Sequence, residues 1–144
     1  MRTFNGELME HLENLPAIIT KSAFSYCLKV EAERSKRYGH PFAVLVLRPP
    51  TGSAFRDTPG LNRMRENLPA LTTSGLVRDC DIVSVLEEEQ AIAVLLPETG
   101  IAGAGVIVKR LMEAISDPRH QLRIELYVYP ENSDKITEIA KKAA

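Results

Sequence analysis

An arginine and an aspartate three residues apart, Arg78 and Asp81, stand just before an apolar run in the second half of the chain. An arginine fork can bind a phosphate or the O6 and N7 edge of guanine through two hydrogen bonds, and a carboxylate can accept from the N–H groups of guanine. The pair could therefore hold a nucleotide. The alternative is an ordinary surface ion pair, which contributes about 0.2–1 kcal/mol to stability.

Three consecutive glutamates, Glu87 to Glu89, follow that apolar run and precede a second one, Ala91 to Leu96. This order predicts a β-hairpin with an acidic turn. Because consecutive residues of a strand point to alternate faces, three glutamates in a row do not converge on one metal ion. We therefore interpret the turn as a solvated acidic surface.

The composition narrows the classes of protein to consider. The chain has 144 residues, of which 44% are hydrophobic and 26% charged, as in one soluble globular domain. A net charge of −1 gives no sign of nucleic-acid binding, and no apolar run is long enough for a membrane span. The polar, acidic N-terminus does not fit a signal peptide, so the predicted location is cytoplasmic. No histidine pair has metal-ligand spacing.

The hydrophobic periodicity predicts the elements that must position these residues. A short amphipathic helix is predicted from the stripe Phe4, Leu8, Leu12 and Leu15. The remaining predicted elements are a helix over 21–38, a strand over 42–47, a helix over 61–75, the hairpin over 81–96, a helix over 101–115, a strand over 122–129 and a helix over 134–142. This β-α-β-β-α-β order indicates an α+β, ferredoxin-like fold, a mostly antiparallel sheet with one layer of helices.

The helix over 101–115 is expected to bury one stripe of residues. Arg110 points roughly opposite that stripe, toward solvent, at 100° per residue. The predicted buried residues are Ile101, Ala104, Gly105, Val108, Leu111, Met112 and Ile115.

Several segments together resemble the GGDEF (diguanylate cyclase) family from about Thr20 to Ala143. They are the helix opening Thr20 to Phe24, the Gly39-His40-Pro41 turn, the hairpin arms Asp81-Ile82-Val83 and Ala93 to Thr99, and Tyr129-Pro130. The resemblance implies the cyclase-palm form of the ferredoxin-like fold for residues 19–144, with residues 1–18 as an N-terminal helix or linker.

The departures from that family bear on catalysis. In the family the first strand ends in an aspartate that holds Mg²⁺, whereas Leu47-Arg48-Pro49-Pro50 supplies no acid here. The nucleoside-binding segment has no counterpart between Pro50 and Asn67. The Gly-Gly-Asp-Glu-Phe signature, whose glycines let the backbone approach a phosphate, is replaced by residues from Glu87 to Ile92. We therefore expect a degenerate domain with no catalytic residue, no metal ion and no cofactor, and not an enzyme.

The family's inhibitory site for cyclic di-GMP is an Arg-x-x-Asp before the signature strand, completed by an arginine on the next helix. Arg78 and Asp81 match the first two positions, and Arg110 falls at the third. The resemblance thus implies an inactive signalling domain that binds cyclic di-GMP through Arg78, Asp81 and Arg110. The alternative for Arg110 is a solvated charge, and for all three a remnant of ancestry.

A second hypothesis is an interaction scaffold without a nucleotide ligand. The partner would be another signalling protein or a second copy of the chain, giving a dimer. The amphipathic stripe from Phe4 to Leu15 favours this hypothesis, since such a helix can dock on a partner.

Overall fold

The structure is a computed structural model that describes residues 17–48, 81–114 and 123–144. The predicted helices over residues 1–16 and 61–75 lie outside the described residues, as does Arg78. The described elements are β1 (Ala17–Ile19), α1 (Lys21–Tyr38), β2 (Phe42–Arg48), β3 (Ile82–Leu86), β4 (Ala91–Leu96), α2 (Ile101–Ala114), β5 (Arg123–Tyr129) and α3 (Ser133–Ala143).

The five described strands form one sheet in the order β1-β3-β4-β2-β5. All neighbours pair antiparallel except β1, which runs parallel to β3. The predicted α+β fold with a mostly antiparallel sheet is therefore confirmed.

Helices cover both faces of this sheet, so the expectation of a single helical layer is wrong. Alternate residues of β2 belong to two separate cores: Leu45 packs with α2, and Val44 packs with α1 and α3. The physical reason is visible in the sequence, because β2 from Phe42 to Leu47 and the whole of β4 are apolar at every position and buried. A strand without a polar face requires cover on both sides.

The ends of α1 follow from two local signals. The Thr20 side chain accepts a hydrogen bond from the Ala23 N–H at 3.2 Å, which caps the first turn. At the other end Gly39 adopts φ 74°, and its N–H donates to the Ser35 carbonyl at 2.9 Å. The predicted bounds of this helix are confirmed.

A Gly39→Ala substitution is expected to destabilise the fold by about 1 kcal/mol, because the left-handed conformation is unfavourable for an L-residue with a side chain. No atom lies within 4 Å of an added Cβ, so the cost comes from the backbone and not from a clash. Urea unfolding of the variant and of the unchanged chain measures the difference. Gly39→Asn should lose less stability than Gly39→Ala, since asparagine tolerates this conformation better; equal losses would contradict the explanation.

The predicted hairpin is also confirmed. Leu86 of β3 faces Ala91 of β4, and the four residues between them form the turn. The turn is closed by a hydrogen bond from the Gln90 N–H to the Glu87 carbonyl at 3.1 Å, with Gln90 at φ 49°.

The buried face of α2 differs from the predicted stripe. Ala104 and Leu111 are buried, and Val108 is half-buried. Ile101 and Met112, however, are 73% and 62% exposed, and Gly105 is exposed as well. The prediction is wrong for these three residues, and Ile115 lies outside the described residues.

Strand β1 was not predicted, and it crosses the boundary expected between residues 18 and 19. The Ser84 hydroxyl donates to the Ile19 carbonyl at 3.0 Å and helps to hold this short strand beside β3. Among the described residues, no helix combines the length and the apolar character needed to cross a membrane.

Candidate functional site

The structure describes two of the three predicted ligand-binding residues, Asp81 and Arg110. Arg78 lies outside the described residues. Asp81 directly precedes β3, and Arg110 lies in the second half of α2. Within the described residues, no hydrogen bond or ion pair joins Asp81 to Arg110.

Asp81 and Arg110 also differ in their surroundings. Asp81 is fully buried and already has an interaction partner. Arg110 is exposed, and no hydrogen bond or ion pair engages it within the described part of the chain. The predicted direction of Arg110 toward solvent is therefore confirmed, and its donors are available to a ligand.

The structure contains a second polar site that was not predicted, which we call the Arg48 cluster: Arg48, Glu89, Glu125, Tyr127 and Lys142. The Arg48 Nε donates to Glu125 Oε1 at 3.1 Å. Its Nη1 donates to the Glu89 carbonyl oxygen at 3.4 Å and lies 3.9 Å from Glu89 Oε2. Lys142 Nζ lies 3.8 Å from the same carboxylate oxygen, so the hairpin turn is tied to β2 and to α3.

The cluster lines a polar cavity of about 320 Å³ between the sheet and α3. Its walls carry charges of both signs. Besides the cluster, the charged residues around it are Arg123, Lys135 and Glu138. Each carboxylate of the cluster has a cation beside it, so ion pairs connect the walls of the cavity.

Two pKa values report on this network. Burial raises the pKa of Glu125, but hydrogen bonds from Arg48 and Tyr127 and the Arg48 charge outweigh burial, so that the pKa lies below its ordinary value. The Tyr127 hydroxyl donates to Glu125 Oε1 at 3.0 Å. Burial and this bond to an anion raise the pKa of Tyr127. Both shifts favour an ionised Glu125 held by neutral Tyr127 and cationic Arg48.

The lowered pKa of Glu125 predicts an acid-dependent contribution to stability. A carboxyl whose pKa falls on folding stabilises the fold above its ordinary pKa of 4.5, and this contribution is lost as the pH drops through the lowered value. The unchanged chain should therefore exceed Glu125→Gln in unfolding free energy near neutral pH, and the difference should shrink below pH 4.5. Urea unfolding over a pH series measures it, with the exposed Glu33→Gln as the control; a pH-independent difference would contradict the expectation.

The acidic turn is only partly the solvated surface that the sequence predicted. Glu87 and Glu88 are exposed, whereas Glu89 is half-buried and paired with cations. Glu88 forms an exposed ion pair with Lys21 at 2.9 Å, and the hydrogen bond and charge of Lys21 lower the pKa of Glu88. The turn is thus anchored to α1 as well as to β2 and α3.

A signal for the Arg48 cluster was present in the strand pattern. Arg48 pairs with Arg123 and Val46 with Glu125 in the register of β2 and β5, which places Glu125 and Tyr127 on the same face. Only the register, which the sequence does not specify, brings Arg48 to them. Among the described residues, no group of three or more His, Cys, Asp or Glu side chains could hold a metal ion.

Comparison with known proteins gives a fold and no close relative. Neither a scan of protein-family models nor a search of curated proteins finds a match to this sequence. Solved structures do match. A diguanylate cyclase (DGC) protein from Thermotoga maritima superposes with a TM-score of 0.66 at 15% identity, over 91% of this chain and 98% of that one.

Two further structures come from Pseudomonas aeruginosa. The GGDEF domain of PA1120 (YfiN or TpbB) matches with a TM-score of 0.56 at 20% identity, over 88% of this chain and 91% of that one. The diguanylate cyclase SiaD, solved with its activator SiaC, matches with a TM-score of 0.56 at 17% identity, over 99% of this chain and 63% of that one. At these identities the likeness establishes a common fold.

Proposed function

We propose that this chain, which has the fold of GGDEF domains, is a catalytically inactive signalling domain that binds cyclic di-GMP through Arg78, Asp81 and Arg110. The proposed absence of catalysis is supported by the Arg48 cluster. A guanidinium occupies the end of β2, where the cyclase chemistry requires a carboxylate for Mg²⁺. This guanidinium already forms ion pairs with two glutamates, since Arg48 lies 3.1 Å from Glu125 and 3.9 Å from Glu89.

Electrostatics argues against a metal ion beside Arg48. Two like unit charges 4 Å apart repel by roughly 4 kcal/mol at an effective dielectric constant of 20, and a divalent ion doubles this. Mg²⁺ would have to displace the guanidinium from both glutamates. We therefore expect no cyclic di-GMP from GTP and Mg²⁺, and measurable turnover would overturn this half of the proposal.

The ligand half of the proposal is supported by the state of Arg110. Its guanidinium is exposed and unengaged among the described residues, so binding does not first require an ion pair to break. Bound to a phosphate or to a guanine edge, it would form two charge-assisted hydrogen bonds.

Asp81, unlike Arg110, is not freely accessible to a ligand in the proposed site. It is fully buried at the start of β3 and has a partner, so a ligand must share its carboxylate or replace that partner. A carboxylate has two oxygens and about four acceptor positions, which allows sharing. A hydrogen bond from a guanine N–H at such a buried position is stronger than one at the surface.

Titration calorimetry of the full chain with cyclic di-GMP tests the ligand. Heat of binding that Arg110→Ala reduces supports the proposed site. The absence of heat at high micromolar protein would overturn the proposed binding of cyclic di-GMP. The proposed absence of catalysis would not be affected, because the assay with GTP and Mg²⁺ tests it separately.

The interaction scaffold remains as a second function because α2 exposes large apolar residues, Ile101 and Met112. The structural neighbour SiaD, of which the match covers 63%, was solved in complex with its activator SiaC, so a protein that contains a domain of this fold has a protein partner. A titration without heat, together with a concentration-dependent dimer in sedimentation experiments, would favour the scaffold over the ligand sensor.

A further inference from the structure

The outer side of α1 carries a stripe of residues that points directly into solvent. The buried residues of this helix, among them Phe24 and Leu28, face the sheet. At 100° per residue, four exposed residues lie on the opposite side, within about 60° of one another. One of them is a tyrosine that is 69% exposed, and tyrosine is enriched at protein interfaces. We call these residues the α1 outer stripe: Tyr26, Val30, Glu33 and Arg37.

The charged groups on and beside this stripe are available to a partner. Lys29 and Arg37 are exposed, and no hydrogen bond or ion pair engages either of them within the described part of the chain. Glu33 lies 3.5 Å from Lys36, but both side chains are mostly exposed, so this ion pair holds the carboxylate only weakly. The surface therefore presents an aromatic ring, two cations and one carboxylate.

The α1 outer stripe is complementary to a second, antiparallel copy of itself. A two-fold axis that passes midway between Val30 and Glu33 brings Tyr26 level with Arg37 of the second copy, where the guanidinium can lie over the ring. The same axis brings Lys29 within about 1.5 Å, along the helix, of the level of Glu33 of the second copy, and on the same side of the contact. Both contacts occur twice because of the symmetry, and the two Val30 side chains meet between them.

We propose that α1 forms the interface of a symmetric, antiparallel dimer with a second copy of this chain. A parallel arrangement would place Glu33 against Glu33 and Arg37 against Arg37, and like charges opposite one another are unfavourable. The antiparallel arrangement pairs opposite charges and closes after two copies. Because α1 has 18 residues, fewer than the roughly 20–30 residues that each partner contributes to a standard interface, the dimer should be weak and depend on concentration.

This interface goes beyond the proposed binding of cyclic di-GMP and does not depend on it. Helix α1 packs on the face of the sheet that contains Val44, whereas α2, which carries Arg110, packs on the face that contains Leu45. Loss of the dimer would therefore leave Arg110 exposed to a ligand, and the absence of ligand binding would leave the α1 outer stripe intact. The interface is also distinct from a contact through the exposed apolar residues of α2.

Sedimentation velocity of the full chain over a series of protein concentrations tests the interface. The unchanged chain should convert from monomer to dimer as the concentration rises into the high micromolar range. Lys29→Glu should raise the dissociation constant of the dimer at least about 10-fold, because the substitution occurs twice and places two carboxylates together at each contact. Lys109→Glu makes the same change of charge at an exposed position of α2, so this matched control should leave the dissociation constant within a factor of about two.

Exchange of the two charges in one chain tests the antiparallel arrangement. Lys29→Glu combined with Glu33→Lys restores opposite charges across the contact, so this double variant should dimerise nearly as well as the unchanged chain. Its recovery would also show that Lys29→Glu does not act by unfolding α1. A chain that stays monomeric at high micromolar concentration, unweakened dimerisation of Lys29→Glu, or a double variant that does not recover would overturn the proposal. Equal or greater weakening by Lys109→Glu would overturn it as well, since the contact would not then be specific to α1.

Discussion

Arg110→Ala is expected to weaken cyclic di-GMP binding roughly 10- to 100-fold, because a hydrogen bond to a charged group contributes about 1.5–3 kcal/mol. The side chain is exposed and has no partner among the described residues, so its removal costs little folding stability. A change in the dissociation constant can therefore be assigned to the ligand contact. Titration calorimetry of both proteins under the same salt conditions gives the ratio.

The adjacent cation supplies a matched control. Lys109 is exposed like Arg110 but points about 100° away around α2, so Lys109→Ala should leave the affinity within a factor of about two. Equal weakening by both substitutions would indicate a general electrostatic attraction to α2 instead of a site. Unchanged affinity in Arg110→Ala would remove this residue from the proposed site.

Elements with a strong local signal were predictable from the sequence alone. Helix α1 spans the predicted residues 21–38, and Thr20 and Gly39 cap its two ends. The hairpin followed from two apolar runs on either side of a short polar stretch. These signals are contained within a few residues, so no knowledge of the rest of the chain was needed.

The wrong or missing predictions concern features that depend on tertiary contacts. Strand β1 has only three residues, and it pairs with a strand more than sixty residues away in sequence. The predicted stripe of α2 used apolar spacing, but the first turns are apolar on every side, so the pattern could not show which side faces the sheet. Ile101 and Met112 were accordingly placed inside, whereas the structure exposes them.

In the candidate site, too, the local features were predictable and the features that depend on packing were not. The direction of Arg110 followed from helical geometry, which is local. The burial of Asp81 and the union of Arg48 with Glu125, 77 residues apart, depend on the packing and register of the sheet. The sequence identified Arg48 as a departure from the metal-binding acid, but it did not reveal that two glutamates would hold this cation in place.

Arg48→Ala is expected to lower the free energy of unfolding by about 2 kcal/mol. Removing one member of a buried ion pair typically costs 3–5 kcal/mol, because the remaining charge has no compensation, and partial exposure reduces that cost. The side chains of Arg48 and of both glutamates are only 22% and 31% exposed. Without the guanidinium, Glu125 retains the Tyr127 hydroxyl and Glu89 retains Lys142, so the loss is not complete. Urea unfolding at neutral pH measures the effect.

Lys36→Ala is the matched control, since it removes a cation from an exposed ion pair. Lys36 and Glu33 are 3.5 Å apart, and their side chains are 63% and 76% exposed, so the expected loss is at most about 0.5 kcal/mol. The loss in Arg48→Ala should also diminish as the pH falls through the lowered pKa of Glu125, because a neutral Glu125 carboxyl no longer forms an ion pair with the guanidinium. A loss as small as that of Lys36→Ala would show that the Arg48 cluster does not hold the turn. The guanidinium would then be displaceable, and its charge would not keep a metal ion from the end of β2.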